Sequence, residues 1–199
     1  KFVAGDGVAS DGALGRLTID ETGKWSYEVA NGDVQYLGDG ATRVETFVVK
    51  SADGTEHTIT ITITGTNDKA LISGDAEGAV TEGDGDIVLS DSGILTAVDV
   101  DGNGTENTFR TDVAAVAHPI EGAPLGSLSI EADGTWTYNV DNSKVEYLGE
   151  GDTKVETFVV KSADCTEHTI TITIAGTNDK AIISGDAEGA VTEGDGDIV

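Results

Sequence analysis

Residues 57–63 read HTITITI, with isoleucine and threonine in strict alternation, and residues 168–174 read the same. In an extended chain a period of two puts every isoleucine on one face, so each run predicts a half-buried strand. Leu17, Ile19, Trp25, Tyr27 and Val29 alternate likewise on either side of Asp20-Glu21-Thr22-Gly23, which predicts a hairpin with those five side chains inward, in a core. Leu128, Ile130, Trp136, Tyr138 and Val140 repeat the pattern around Glu131-Ala132-Asp133-Gly134. A further hairpin joins Thr46-Phe47-Val48-Val49 to the first threonine–isoleucine run through Ser51-Ala52-Asp53-Gly54, where the Asp-Gly pair marks the turn. No segment carries apolar residues at helical spacing. The pattern predicts an all-β protein of many short strands.

These elements recur as a set. Trp136 lies 111 residues after Trp25, and the same offset relates Phe158 to Phe47 and Asn178 to Asn67. It holds without a gap from about Leu14 onward; upstream, KFVAGDGVASDG and DVAAVAHPIEGA share length but little sequence, as a variable loop would. Such a repeat is too long for a solenoid and suits a sandwich of roughly 100 residues. Residues 1–66 are expected to be the C-terminal part of one β-sandwich repeat, 67–177 a complete repeat, and 178–199 the N-terminal part of a third. Both ends read as cuts through a longer array. Only Thr64-Gly65-Thr66-Asn67-Asp68-Lys69 separate Ile63 from Ala70, and so short a connection favours immunoglobulin- or cadherin-like sandwiches joined end to end.

Composition narrows the function. The 37 acidic and 11 basic residues of the 199-residue chain give a formal charge of −26, which argues against nucleic acid and against anionic lipid. Cys165 is the one cysteine, so no internal disulfide forms and no zinc-type spacing exists. No run approaches the roughly 20 apolar residues of a membrane helix, so no membrane insertion is expected. No signal peptide opens the sequence, which says little about location if the ends are cuts.

The acidic groups gather at the short connections. Crowded carboxylates would splay neighbouring sandwiches, whereas a divalent cation shared between them would hold them in line. Calcium suits this, because it takes roughly six to eight oxygens in irregular geometry. Asp99, Asp101 and Asn103 alternate ahead of Gly104, the D-x-D-x-N-G opening of a calcium loop. An EF-hand is not expected, since Arg110 stands where the loop's closing glutamate belongs and no helices flank it.

Three segments resemble the cadherin plan. Ala97 to Asn103 resembles its A-x-D-x-D-x-G-x-N segment, Leu148-Gly149-Glu150-Gly151-Asp152 its second acidic loop, and Gly176-Thr177-Asn178-Asp179-Lys180 its closing linker. Gly65 and Gly176 replace that linker's first aspartate, and Lys69 and Lys180 its last asparagine, which implies weaker binding or fewer ions. The chain is more closely similar to VCBS repeats, the cadherin-like modules of very long secreted bacterial adhesins. The resemblance rests on Gly78-Ala79-Val80-Thr81-Glu82, Asp99-Val100-Asp101-Gly102, Asp133-Gly134-Thr135-Trp136-Thr137-Tyr138 and Thr60-Ile61-Thr62-Ile63-Thr64-Gly65-Thr66-Asn67-Asp68, in that family's order within the repeat.

The resemblance implies a non-enzymatic, calcium-rigidified spacer of a cell-surface or biofilm-matrix adhesin, exported by type I secretion. It places one metal site at Asn67 and Asp68, with Asp39 before them and Asp99, Asp101 and Asn103 after. It places a second at Asn178 and Asp179, with Glu82, Glu150 and Asp152. The implied partners are neighbouring repeats of the same chain. Because residues 178–199 copy the strands that residues 1–66 lack, head-to-tail strand complementation between chains is also expected. The alternative is a calcium-dependent carbohydrate- or protein-binding module using loops such as 115–124. His57, His118 and His168 have no nucleophile placed with them, so no catalytic triad is expected. Asp75, Glu77, Asp84 and Asp86 read as solvated surface charge, and the threonine row as ordinary solvent-facing alternation rather than an ice-binding face. Cys165 replaces Gly54 at a turn position expected to need positive φ, and reads as an exposed thiol.

Overall fold

A computed structural model describes residues 1–83, 87–112, 116–118 and 123–190; for Asn103 and residues 116–118 only the backbone is described. The Asp84 and Asp86 charges, the His118 side chain and most of the 115–124 loop therefore lie outside the described residues.

The alternating segments form antiparallel strands joined at the turns that the sequence marks. In residues 1–66 these are β1 (Gly5–Asp6), β2 (Val8–Ala9), β3 (Arg16–Ile19), β4 (Trp25–Glu28), β5 (Thr42–Lys50) and β6 (Glu56–Thr64). They make two three-stranded sheets, ordered β1-β3-β4 and β2-β5-β6. Leu17 lies opposite Tyr27, and Phe47 opposite Ile59. The longer part of the chain continues with β7 (Leu71–Gly74), β8 (Glu77–Thr81), β9 (Val88–Val98), β10 (Val116–His118), β11 (Gly126–Ile130), β12 (Thr135–Asp141), β13 (Thr153–Lys161) and β14 (Glu167–Ala175). These make two four-stranded sheets, β10-β13-β14-β8 and β11-β12-β9-β7. Short 3-10 turns at Asn31–Asp33, Asp101–Gly104 and Asn142–Lys144 are the helical elements among the described residues. None of these is long and apolar enough to cross a membrane.

The two inner faces of residues 70–175 close on one core that includes Leu95, Trp136, Tyr138, Val145, Ile170, Ile172 and Ile174, all at 0% exposure. Strand β8 seals it by pairing in parallel with β14, with Gly78 opposite Ile172. Parallel pairing is possible because most of the repeat lies between the two strands. A smaller core of Leu17, Ile19, Phe47 and Val49 forms in residues 1–66, which hold no counterpart of β7, β8 or β9. There Ile59 and Ile61 are only half-buried and Trp25 is 46% exposed. The expectation that both tryptophans lie in a core therefore holds for Trp136 and fails for Trp25. Alternation decides which way a side chain points; whether it is covered depends on a strand elsewhere in sequence.

One buried carboxylate anchors each core. Glu156 Oε1 accepts the Leu125 N–H at 2.6 Å, and its Oε2 accepts the Gly126 N–H at 3.2 Å and the Tyr138 hydroxyl at 2.9 Å. Glu45 repeats this with Leu14, Gly15 and Tyr27, and adds the Arg43 guanidinium. Burial and the neighbouring carboxylate push the Tyr27 hydroxyl up to about 12.

Candidate metal centre

Strand β9 ends at Val98, and the chain turns through Asp99 into the Asp101–Gly104 turn. Asp99 Oδ1 accepts the Asp101 N–H at 2.9 Å, and the Asp99 N–H donates to Asn107 Oδ1 at 2.6 Å. These bonds set the two carboxylates side by side, both buried. Asp101 Oδ2 accepts the Asp68 N–H at 2.8 Å, which ties the connecting segment to the turn. The Gly102 N–H donates to the Tyr36 carbonyl at 3.0 Å, so the turn also bonds the first copy. Glu106 folds back onto the pair: one ligand atom each from Asp99, Asp101 and Glu106 lie within 4.8 Å of one another.

Two oxygens that share one calcium ion, each about 2.4 Å from it, are at most about 4.8 Å apart. The spacing of the three carboxylates meets that limit. Asp99 Oδ2 and Asp101 Oδ1 are buried and have no hydrogen-bond partner among the described residues. A buried carboxylate oxygen without a donor is costly, and an all-oxygen set with several negative charges is the chemistry hard cations take. Partial burial, together with the negative Asp99, Asp101 and Asp164, raises the Glu106 carboxyl above its ordinary range.

At the other end of the repeat, Glu82 follows β8 and is buried. Its Oε2 accepts the Thr177 N–H at 2.9 Å and the Thr177 hydroxyl at 2.8 Å, while Oε1 has no partner among the described residues. Asn178 follows, its amide donating to the Asp179 carbonyl at 3.0 Å; Asn67 does the same to the Asp68 carbonyl at 2.6 Å. Glu150 and Asp152 are exposed on the adjoining loop, where the Asp152 carbonyl accepts the Gly176 N–H and Asp152 Oδ2 accepts the Gly149 N–H.

The glycines that depart from the cadherin linker have a packing reason. A Cβ built on Gly65 would sit 2.0 Å from the Leu37 carbonyl oxygen, and one on Gly176 would sit 2.4 Å from that of Leu148. The linker backbone lies flat against the leucine loop, and an aspartate cannot fit there.

The structure thus brings Asp99 and Asp101 together with Glu106 and bonds the Asp68 N–H to Asp101, while Glu82 bonds Thr177, with exposed Asn178 next along the chain. Asp39 is exposed, next to Gly38, on which a Cβ would face that of Asp101 at 3.5 Å. The Asn103 side chain lies outside the description. The sequence reading missed Glu106 and Thr177. Glu106 stands outside the D-x-D-x-N-G spacing, and only the course of the turn brings it back.

A family model described as the bacterial cadherin-like domain matches residues 67–176, more than half of the chain. The chain belongs to this family. The bacterial cadherin-like match begins at Asn67 and ends at Gly176, so the two clusters lie at its two ends. No curated protein matches the chain in sequence. Among solved structures, domains 4 and 5 of the S-layer protein SbsC are 16% identical, with 80% of this chain and 65% of that one covered at a TM-score of 0.33. The protocadherin PcdhgB3 EC1-4 is 13% identical, with 85% and 40% covered at 0.40. A Ca2+-stabilized ice-binding adhesin of an Antarctic bacterium is 20% identical, with 89% and 41% covered at 0.29. The chain thus spans less than two thirds of each of these, and at such scores no assignment rests on them.

Proposed function

We propose that this chain is a calcium-rigidified spacer, an extender segment of a large bacterial surface or matrix adhesin, without enzymatic activity. One observation carries the reading. Among the described residues, the buried carboxylate oxygens without a hydrogen-bond partner, Asp99 Oδ2, Asp101 Oδ1 and Glu82 Oε1, all stand at the two ends of the bacterial cadherin-like repeat. At the first end the carboxylates of Asp99, Asp101 and Glu106 lie within 4.8 Å of one another, where ionised pairs repel by roughly 3–4 kcal/mol at an effective dielectric near 20. A bound calcium ion would supply positive charge and a centre on which oxygens from two repeats and their linker converge. Asp99, Asp101 and Glu106 would hold it at the first end, with Asp68, Asn67, Asn103 and Asp39 within the same connection. Glu82, Asn178 and Asp179 would hold it at the second, with Glu150 and Asp152. The chain's own part is to seat these groups on strand ends and to lock the linker through Asp68 and Thr177. The partners are neighbouring repeats of the same chain. Export to an extracellular, calcium-rich setting fits the −26 charge; type I secretion and a biofilm matrix complete the reading. No described feature favours the carbohydrate-binding alternative.

The test is calorimetric titration with calcium, followed by thermal melting and small-angle scattering with calcium and with chelator. Calcium should bind, raise the melting temperature and lengthen the particle. A protein equally stable and equally extended in chelator would sink the proposal.

A further inference from the structure

Within the complete repeat, two strand edges lie open beside each other. Strand β8 ends the order β10-β13-β14-β8, and among the described residues no strand pairs with its outer side. In the facing sheet, β7 covers β9 only from Leu95 to Val98. The preceding part of β9, from Val88, has β12 on one side and no paired strand on the other. Backbone groups point alternately to the two sides of a strand. The Thr171 N–H donates to the Ala76 carbonyl and the Glu82 N–H to the Ala175 carbonyl, so the even-numbered residues of β8 face β14. Glu77, Ala79 and Thr81 therefore turn their N–H groups outward. On β9 the Leu95 N–H donates to the Gly134 carbonyl, on the β12 side, while the Ile94 carbonyl accepts the Asp75 N–H on the other. The Ser92 N–H, at the same parity as Ile94, therefore points to the open side as well.

Aspartate side chains take these outward donors. Asp91 Oδ2 accepts the Ala79 N–H at 2.7 Å, and Asp91 Oδ1 accepts the Ser92 N–H at 2.8 Å. One carboxylate thus closes a donor on each of the two sheets. Asp75 Oδ1 accepts the Glu77 N–H at 3.3 Å. Two glycines make room for both acids. A Cβ on Gly78 would lie 3.0 Å from Asp91 Oδ2, and one on Gly93 would lie 2.9 Å from Asp75 Oδ2.

We propose that Asp91 is an edge guard: its carboxylate holds the outward N–H groups of β8 and β9 so that β8 of a second copy cannot pair alongside. An open edge is a template for another strand, and misassembly between like modules is a characteristic failure of repeat proteins. An incoming strand would bring its carbonyl oxygens to donors already taken and would meet a negative charge there. A carboxylate suits this place because both of its oxygens accept, whereas an asparagine would turn a donor toward one of the two N–H groups. Without the guard, β8 can pair antiparallel with β8 of a second copy about a two-fold axis, a closed contact. The inference rests on the geometry of β8 and β9 inside the repeat and is independent of the calcium reading.

The experiment combines amide hydrogen exchange, read by NMR, with sedimentation velocity of the full chain, both in chelator so that calcium does not enter. In Asp91→Ala the Ala79 and Ser92 amides should exchange roughly tenfold faster or more, as the loss of a bond to a charged acceptor implies. The Thr171 and Glu82 amides, bonded between β8 and β14, should exchange as in the wild type and show that the fold is kept. The sedimentation coefficient of Asp91→Ala should rise with concentration more steeply than that of the wild type. Adding Ala79→Pro should reduce this rise, because proline offers no N–H and is tolerated on an edge strand. Glu131→Ala, which removes an exposed charge in the β11–β12 turn, should sediment as the wild type does. Asp91→Asn keeps the shape and loses one acceptor, so it should speed exchange at one of the two amides and associate less than Asp91→Ala. Unchanged exchange at both Ala79 and Ser92, association of Asp91→Ala no greater than that of the wild type, or association undiminished by the proline overturns the proposal.

Discussion

The Glu82 carboxylate grips Thr177 at both of its polar groups, the N–H at 2.9 Å and the hydroxyl at 2.8 Å, although 95 residues separate them. Parallel pairing of β8 with β14 delivers both residues to the same end of one sheet. Truncation should therefore hurt without any metal. Glu82→Ala should cost about 1–3 kcal/mol in chelator, because two donors lose their acceptor. Glu82→Gln keeps an acceptor and removes a buried charge, so it should melt no lower than the wild type in chelator while losing part of the gain from calcium. Differential scanning calorimetry of both variants, with and without the ion, separates these effects; equal calcium gains for Glu82→Gln and wild type would take Glu82 out of the site.

Glu106 supplies a sign reversal. Its folded carboxyl is held above the ordinary glutamate range by burial and by Asp99, Asp101 and Asp164. A raised carboxyl costs stability once it is ionised, and the cost vanishes as the pH falls below the unfolded value, about 4.3. In chelator at neutral pH, Glu106→Gln should be more stable than wild type, and the two should converge under acid conditions. With calcium at neutral pH the order should invert, because the variant has lost a ligand. Urea midpoints at the two pH values, with and without calcium, give the answer.

Much of this was legible from alternation and repetition. The threonine–isoleucine runs became β6 and β14, and the two hairpins paired Leu17 with Tyr27 and Leu128 with Tyr138. Glu156 shares parity with Phe158 and Val160 and so had to point inward; that signal was present and unread. Alternation alone does not show that Trp25 is exposed: it sets the direction of the side chain, whereas β8 and β9, which cover Trp136, have no counterpart in residues 1–66. The approach of Glu106 was not legible either, because it depends on the course of a 3-10 turn.

Asp164 connects two elements and should leave a mark on acid stability. Burial pushes its carboxyl up, but bonds from the Ser162 hydroxyl, the Thr166 hydroxyl and N–H, and the Ala70 N–H outweigh this, and it lies well below the usual aspartate range. A depressed carboxyl contributes stability that is complete above the unfolded value, about 3.9, and is lost as the pH falls toward the folded one. Asp164→Asn should therefore lower the melting temperature at neutral pH. The gap to wild type should narrow steadily below about pH 4. A gap independent of pH would mean that packing rather than charge holds the start of β7.

Cys165 and Gly54 occupy one turn position in two copies of a hairpin, with φ of 68° and 88°. A residue with a Cβ pays on the order of 1 kcal/mol in this left-handed region, and glycine does not. Against that cost stands one contact, from Arg110 Nη1 to the sulfur at 3.1 Å. Arg110 keeps a second partner in Asp112, bonded through Nε at 3.1 Å and Nη2 at 2.8 Å, so the guanidinium stays satisfied without the thiol. The backbone term should win. Cys165→Gly is expected to raise stability by up to about 1 kcal/mol, read as a higher urea midpoint under reducing conditions with an unchanged slope. A lower midpoint would show that the arginine–sulfur contact outweighs the strain of the turn.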